Sequence, residues 1–164
     1  MDFECAPHPL IYRFVTEWNI YAPVSACWDA LVVRRAWAAW FPDVMLDGDA
    51  PWRAQVADSF GLLVRAPYGA TIRVRLKVVA VTPGSELVLV SRGDLAGYAI
   101  VRFDAGESGG QTRSTVEITW HVAANSWALR WGSALGLRPV FAWAHGRVMA
   151  RALAAVRREL EAGR

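Results

Sequence analysis

Apolar and polar residues alternate near the start of the chain. Tyr12, Phe14, Thr16, Trp18 and Ile20 fall on one side of a two-residue period, and Arg13, Glu17 and Asn19 on the other. That spacing predicts a half-buried strand. Ala22-Pro23-Val24-Ser25 turns the chain into Ala26 to Val33, where Cys27, Trp28 and Leu31 recur at helical spacing and Pro23 stands near the start. A second short helix is expected to carry Trp37 and Trp40. Phe41-Pro42-Asp43 ends it, because the residue before a proline is pushed out of the helical region.

From Val44 to Val122 the pattern is one of strands divided by turn clusters: Asp47 to Pro51, Ala66 to Gly69, Pro83-Gly84-Ser85, Gly93-Asp94 and Gly106 to Gly110. Ile72, Val74, Leu76 and Val78 alternate with Arg73, Arg75 and Lys77, so one face is apolar and the other solvated. Val116, Ile118, Trp120 and Val122 repeat the device against Thr115, Glu117, Thr119 and His121. This describes an antiparallel meander. After a candidate N-cap at Asn125-Ser126 the chain turns helical, and Pro139 starts or kinks a long final helix reaching about Leu160. Phe141, His145, Val148, Ala152, Val156 and Leu160 share one face of it, with Arg147, Arg151, Arg158 and Glu161 opposite. The apolar face must cover the sheet. The fold class is therefore α+β, with residues 1–11 an N-terminal arm and 12–162 one domain; no repeat or linker divides the chain.

Composition changes this picture little. With 164 residues and 54% hydrophobic side chains the chain can bury one sizeable core, and its nine tryptophans suit both cores and pocket walls. The net charge of +3 comes almost entirely from arginine, with Lys77 the only lysine, a mixture that a GC-rich genome produces without selection for an anionic partner. The arginines are spread from Arg13 to Arg164 among acids rather than gathered on one face, which argues against nucleic-acid binding. Cys5 and Cys27 show no metal-ligand or disulfide spacing and read as reduced thiols. Residues 1–10 do not resemble a signal peptide, and Trp131 to Val156 is interrupted by Arg138, Arg147 and Arg151, so no membrane span and a cytoplasmic location are expected. Gly106-Glu107-Ser108-Gly109-Gly110 matches the G-x-S-x-G pattern, but strands flank it on both sides where a nucleophile elbow needs a strand leading into a helix. It is read as a hairpin loop. No metal, nucleotide or other cofactor is implied by any motif.

Strand, short helices, antiparallel strands and a long last helix is the order of the helix-grip fold, and several local patterns point the same way. Trp18 to Pro23 followed by Cys27-Trp28-Asp29-Ala30-Leu31, then Trp37, Trp40, Phe41, Pro42 and Val44, resemble the START-like or SRPBCC superfamily, more narrowly its polyketide cyclase/dehydrase-type members. Gly93-Asp94-Leu95-Ala96-Gly97, Thr112-Arg113, and Arg138-Pro139-Val140-Phe141 with Trp143, His145, Val148 and Met149 extend the resemblance across Tyr12 to Leu160, the last group being close to a subset of bacterial members. Two positions depart from the family pattern: Val56 to Phe60 lacks an expected glycine, and Gly146 stands where a polar residue is common. The resemblance implies a curved sheet around the last helix, enclosing a cavity for a small hydrophobic, lipid-like or polycyclic molecule.

Strand parity and helical face make Trp18, Val74, Leu76, Leu89, Ser91, Val101, Ile118, Trp120, Phe141, His145 and Met149 the candidate wall, with Arg65 and Tyr68 at the cavity mouth. Ser91 and Thr16 offer hydroxyls. His145 is the candidate for proton transfer, since His8 lies in the arm and His121 has outward parity. The plainer reading of each is ordinary core for the wall residues, a hydrogen-bonded structural group for His145 and a solvated loop for Arg65 and Tyr68. Three functions stay open at this point: a carrier or sequestering protein for a small hydrophobic ligand, an enzyme folding a poly-ketone chain for aldol cyclisation or dehydration, and a ligand-free interaction domain.

Overall fold

The structure is a computed structural model that describes residues 11–32, 40–47, 53–65, 71–125, 136 and 138–162. Strand β1 (Ile11–Ile20) leads into helix α1 (Val24–Val32). Strands β2 (Val44–Asp47), β3 (Ser59–Arg65), β4 (Thr71–Thr82), β5 (Glu86–Gly93), β6 (Leu95–Ser108) and β7 (Gln111–Ala124) follow. Helix α2 (Arg138–Glu161) ends the fold. All seven strands form one antiparallel sheet in the order β1-β7-β6-β5-β4-β3-β2, so the first strand closes the meander beside the last. The sheet curves around α2, the helix-grip arrangement expected. The expected helix over Trp37 lies outside the described residues, although Trp40 is itself helical.

Pairing register shows how the strand pattern becomes a concave wall, because directly opposed residues of antiparallel strands share a face. One row runs Thr16, Ile118, Val101, Leu87; the next Phe14, Trp120, Ala99, Leu89, Val78; the next Tyr12, Val122, Gly97, Ser91, Leu76, Phe60. A Cβ at Gly97 would overlap the His121 carbonyl oxygen, so only glycine lets β6 and β7 approach this closely. On the other face Tyr98 stacks on His121 with centroids 4.9 Å apart, in keeping with that histidine's outward parity.

Turn chemistry explains where the expected boundaries shift. Gly109 and Gly110, with φ of 59° and 76°, make a two-residue turn between the paired Ser108 and Gln111, so Gly106 to Ser108 belong to β6 rather than to a loop. Strand β6 also begins earlier than its hydrophobic run. Asp94 alone makes the turn, its carboxylate accepting from Arg73 N–H at 2.7 Å while its own N–H donates to Arg73 O at 2.9 Å. Val79 is an extra residue in β4, shifting the register between Val78 and Ala80.

Val56 to Phe60, where the resemblance leads one to expect a glycine, contains a residue in the left-handed conformation that glycine favours. Ala57 holds a φ of 76° in a turn closed by Asp58 N–H donating to Gln55 O at 3.1 Å.

Helix α2 opens at Arg138, so Pro139 stands in its first turn, where a missing N–H costs nothing. Met149, Ala152 and Val156 are buried against the main core with Trp18, Ile20 and Val116. Its last turns are tied to the end of β1, to the turn after it and to Trp40. The Arg157 guanidinium donates twice to Asn19 O at 3.1 and 2.6 Å, Glu161 accepts from Tyr21 N–H at 3.0 Å, and Glu159 accepts from the Trp40 indole at 2.6 Å. Helical spacing puts Glu161 on the solvent side; its carboxylate nonetheless reaches the turn after β1, where Tyr21 N–H donates to it.

Candidate functional site

The candidate site is built where the first half of α2 lies over β1. Phe14 and Thr16 reach inward from the strand, and His145 descends between them. The imidazole stacks on the Phe14 ring, centroids 4.4 Å apart and planes inclined by 19°. Thr16 Oγ1 lies 3.4 Å from His145 Nε2, a long and therefore weak hydrogen bond. Tyr12 stacks on Phe14 at 5.7 Å and meets the Phe141 edge at 6.0 Å, which completes an aromatic cluster around the histidine.

Apolar surroundings govern the chemistry of this ring. Burial disfavours the imidazolium and holds the His145 pKa down at about 4, so the group is neutral at pH 7. A neutral imidazole donates one hydrogen bond and accepts one. As an acid at neutral pH it would be protonated in only about one molecule in a thousand, far from the match that proton transfer favours. Cys27 is no better placed as a nucleophile: it is free and fully buried, and burial pushes its thiol up, away from the reactive thiolate.

The candidate wall residues divide into two zones. Trp18, Val74, Leu76, Leu89, Ser91, Val101, Ile118 and Met149 are buried, whereas Trp120, Phe141 and His145 are only half-buried although they share the inner face. Phe14 and Thr16 are half-buried as well. The half-buried residues thus gather where β1 and β7 meet the N-terminal half of α2, with buried Tyr12 and Val122 on one side and buried Trp18 and Val116 on the other. Arg65, at the close of β3, is exposed by register alongside the starts of β4 and β6 and the end of β7. Tyr68 lies outside the described residues, as does His8.

Register sets the candidates in neighbouring rows: Val101 and Ile118 with Thr16, Leu89 and Trp120 with Phe14, Ser91 and Leu76 with Tyr12. Val74 lies a row further, opposite Leu62 and Gly93. The Ser91 hydroxyl donates to Leu95 O at 2.6 Å, which commits it to the β5–β6 turn. Tyr12 and Phe14 are absent from the sequence candidates, although the parity that selects Trp18 selects them equally.

Among the described residues no group of histidine, cysteine and acidic side chains could hold a metal ion, and no helix is long and apolar enough to cross a membrane.

No family model matches the sequence, and no curated protein matches it. Solved structures do. TTHA0849 from Thermus thermophilus superposes with a TM-score of 0.67 at 14% identity, over 93% of this chain and 99% of that one. The di-domain ARO/CYC BexL from the BE-7585A biosynthetic pathway gives 0.64 at 20% identity, over 93% of this chain and 50% of BexL. CV1439 from Chromobacterium violaceum gives 0.60 at 13% identity, over 91% of this chain and 96% of that one. At such identities the likeness is one of fold, and it shows that this chain adopts the helix-grip fold that its sequence resemblance to the START-like superfamily implies.

Proposed function

We propose that the protein binds a small hydrophobic molecule between the concave face of its sheet and α2, as a carrier or sequestering protein. The observation that carries this reading is the half-buried part of the inner wall beside the N-terminal half of α2. Phe14, Thr16, Trp120, Phe141 and His145 face inward yet stay partly accessible, whereas a filled interior would seal them as Trp18 and Val116 are sealed. Mostly apolar walls with a few placed polar groups are what small-molecule sites are made of. The neutral state of His145 favours binding over catalysis, since the ring serves as a hydrogen-bonding group without a charge to compensate.

Likeness to BexL supports a second reading, in which the cavity moulds a poly-ketone chain for cyclisation or dehydration and His145 moves a proton. That reading requires a bound substrate to raise the imidazole pKa from about 4 toward the working pH.

Extraction of natively purified protein followed by mass spectrometry tests the first reading. A stoichiometric apolar molecule that is absent after denaturation and refolding is expected; a protein that carries nothing and takes up nothing from apolar extracts contradicts it.

A further inference from the structure

Strand β1 closes the sheet on one side, and no described strand pairs its far edge. Parity shows which backbone groups lie along it. The two-residue turn at Gly109-Gly110 makes Ser108 and Gln111 a hydrogen-bonded pair, so odd-numbered residues of β7 bond to β6 and even-numbered ones to β1. On β1 the even-numbered residues answer, which turns the N–H and C=O of Arg13, Val15, Glu17 and Asn19 to the edge. Asn19 O is capped there by Arg157. Among the described residues nothing bonds to the backbone of Arg13, Val15 or Glu17 at this edge.

A strand edge left in this state is a template for another chain. Side chains narrow which chain fits. Arg13, Val15 and Glu17 all project from the outer face and are exposed, Val15 by 51%. Among the described residues Arg13 makes no ion pair, and Glu17 stands opposite Glu117, a like charge, with the Asn19 amide donating to it. Opposite charges thus flank Val15 symmetrically. An edge blunted against association carries charges of one sign that repel a second copy, whereas this one complements itself.

We propose that two copies of the chain pair their β1 edges antiparallel about a two-fold axis at Val15, forming a dimer with one continuous sheet. Arg13 then falls opposite the partner's Glu17 and Glu17 opposite the partner's Arg13, with each residue exchanging both its backbone bonds with its opposite. Other registers lose this match. An axis at Arg13 or at Glu17 sets like charges together, and one at Phe14 or Thr16 sets a charge against Val15. The Arg157 cap on Asn19 O confines the pairing to this short stretch, so the dimer is weak and dependent on concentration.

Sedimentation equilibrium of the purified chain should show a reversible monomer–dimer equilibrium with a dissociation constant of about 100 μM or below. Arg13→Glu and Glu17→Arg should each weaken it by about tenfold or more, because each sets like charges across the axis. The double reversal Arg13→Glu/Glu17→Arg should restore it to within about threefold of wild type, and mixing the two single variants should give a heterodimer of similar strength. Recovery on mixing also shows that the single variants are folded. A wild type that stays monomeric up to about 1 mM, a dimer indifferent to both reversals, or single variants rescued neither by the double reversal nor by mixing would each overturn the pairing.

Discussion

The imidazole of His145 lies nearly parallel to the Phe14 ring at 4.4 Å, joining the one inward-facing histidine of α2 to the first strand. Their contact spans the chain from β1 to α2 and sits in the half-buried part of the inner wall. Its consequences for charge, stability and binding can each be measured.

Acid should weaken the fold through this pair. The folded-state pKa of His145 is held at about 4 against an ordinary value of 6.5. Between those values the unfolded chain takes up a proton that the folded protein refuses. The contribution is therefore complete above about pH 6.5 and is lost progressively as pH falls toward 4. Allowing for the partial exposure of the ring, it amounts to roughly 2 kcal/mol. Denaturant titrations of wild type and His145→Phe at pH 7 and pH 5 should show the variant losing less stability over that interval. Parallel curves would contradict the assignment.

Replacing His145 by glutamine separates carrier from catalyst. The carrier reading predicts that a hydrocarbon probe keeps its affinity within about threefold and that a hydrogen-bonding probe changes by about 1 kcal/mol. A poly-ketone substrate turned over by the wild type and slowed about a hundredfold in the variant would favour the enzyme.

Ala57 in a left-handed turn invites a stabilising change. Left-handed backbone costs an L-residue about 1–2 kcal/mol, and glycine recovers most of it at the expense of a looser unfolded chain. Ala57→Gly should raise the melting temperature by about 1–3 °C. A fall of similar size would mean that Ala57 is not in this conformation.

Arg157 should matter more than an ordinary surface arginine. It anchors the end of α2 to the Asn19 carbonyl with two donors, so Arg157→Ala should cost about 1–2 kcal/mol in equilibrium unfolding. Arg158, whose guanidinium returns to its own helix at Ala154 O, supplies the comparison: Arg158→Ala should cost under about 0.5 kcal/mol.

The strands were legible because their side chains keep a period of two, against a solvated outer face in Ile72 to Val78; in the central strand β7 the outer Thr119 is buried all the same. Gly109-Gly110 and Pro139 fixed a hairpin and a helix start through backbone constraints that act locally. What stayed hidden depended on distance. Nothing within the first strand announces that Thr16 would meet a histidine 129 residues away, with Phe14 stacked on the same ring, since that contact is made by helix docking rather than by periodicity. Inward parity could have added Tyr12 and Phe14 to the candidate wall, but it could not distinguish the sealed Trp18 from the accessible Trp120. Glu161 followed the polar side of its helix, and only the turn after Ile20 gave it a backbone partner.

Titration of the purified, delipidated protein with fluorene, followed by tryptophan emission, tests the central claim most directly. An apolar interior open beside His145 predicts a saturable change with one site per chain and a dissociation constant near the micromolar range, about −8 kcal/mol. Phe141→Arg, which places a charge there, should weaken binding at least tenfold while far-UV circular dichroism stays unchanged. Emission that stays flat, or drifts linearly without saturation, in a protein shown to be folded would contradict an open cavity and leave a filled core in its place.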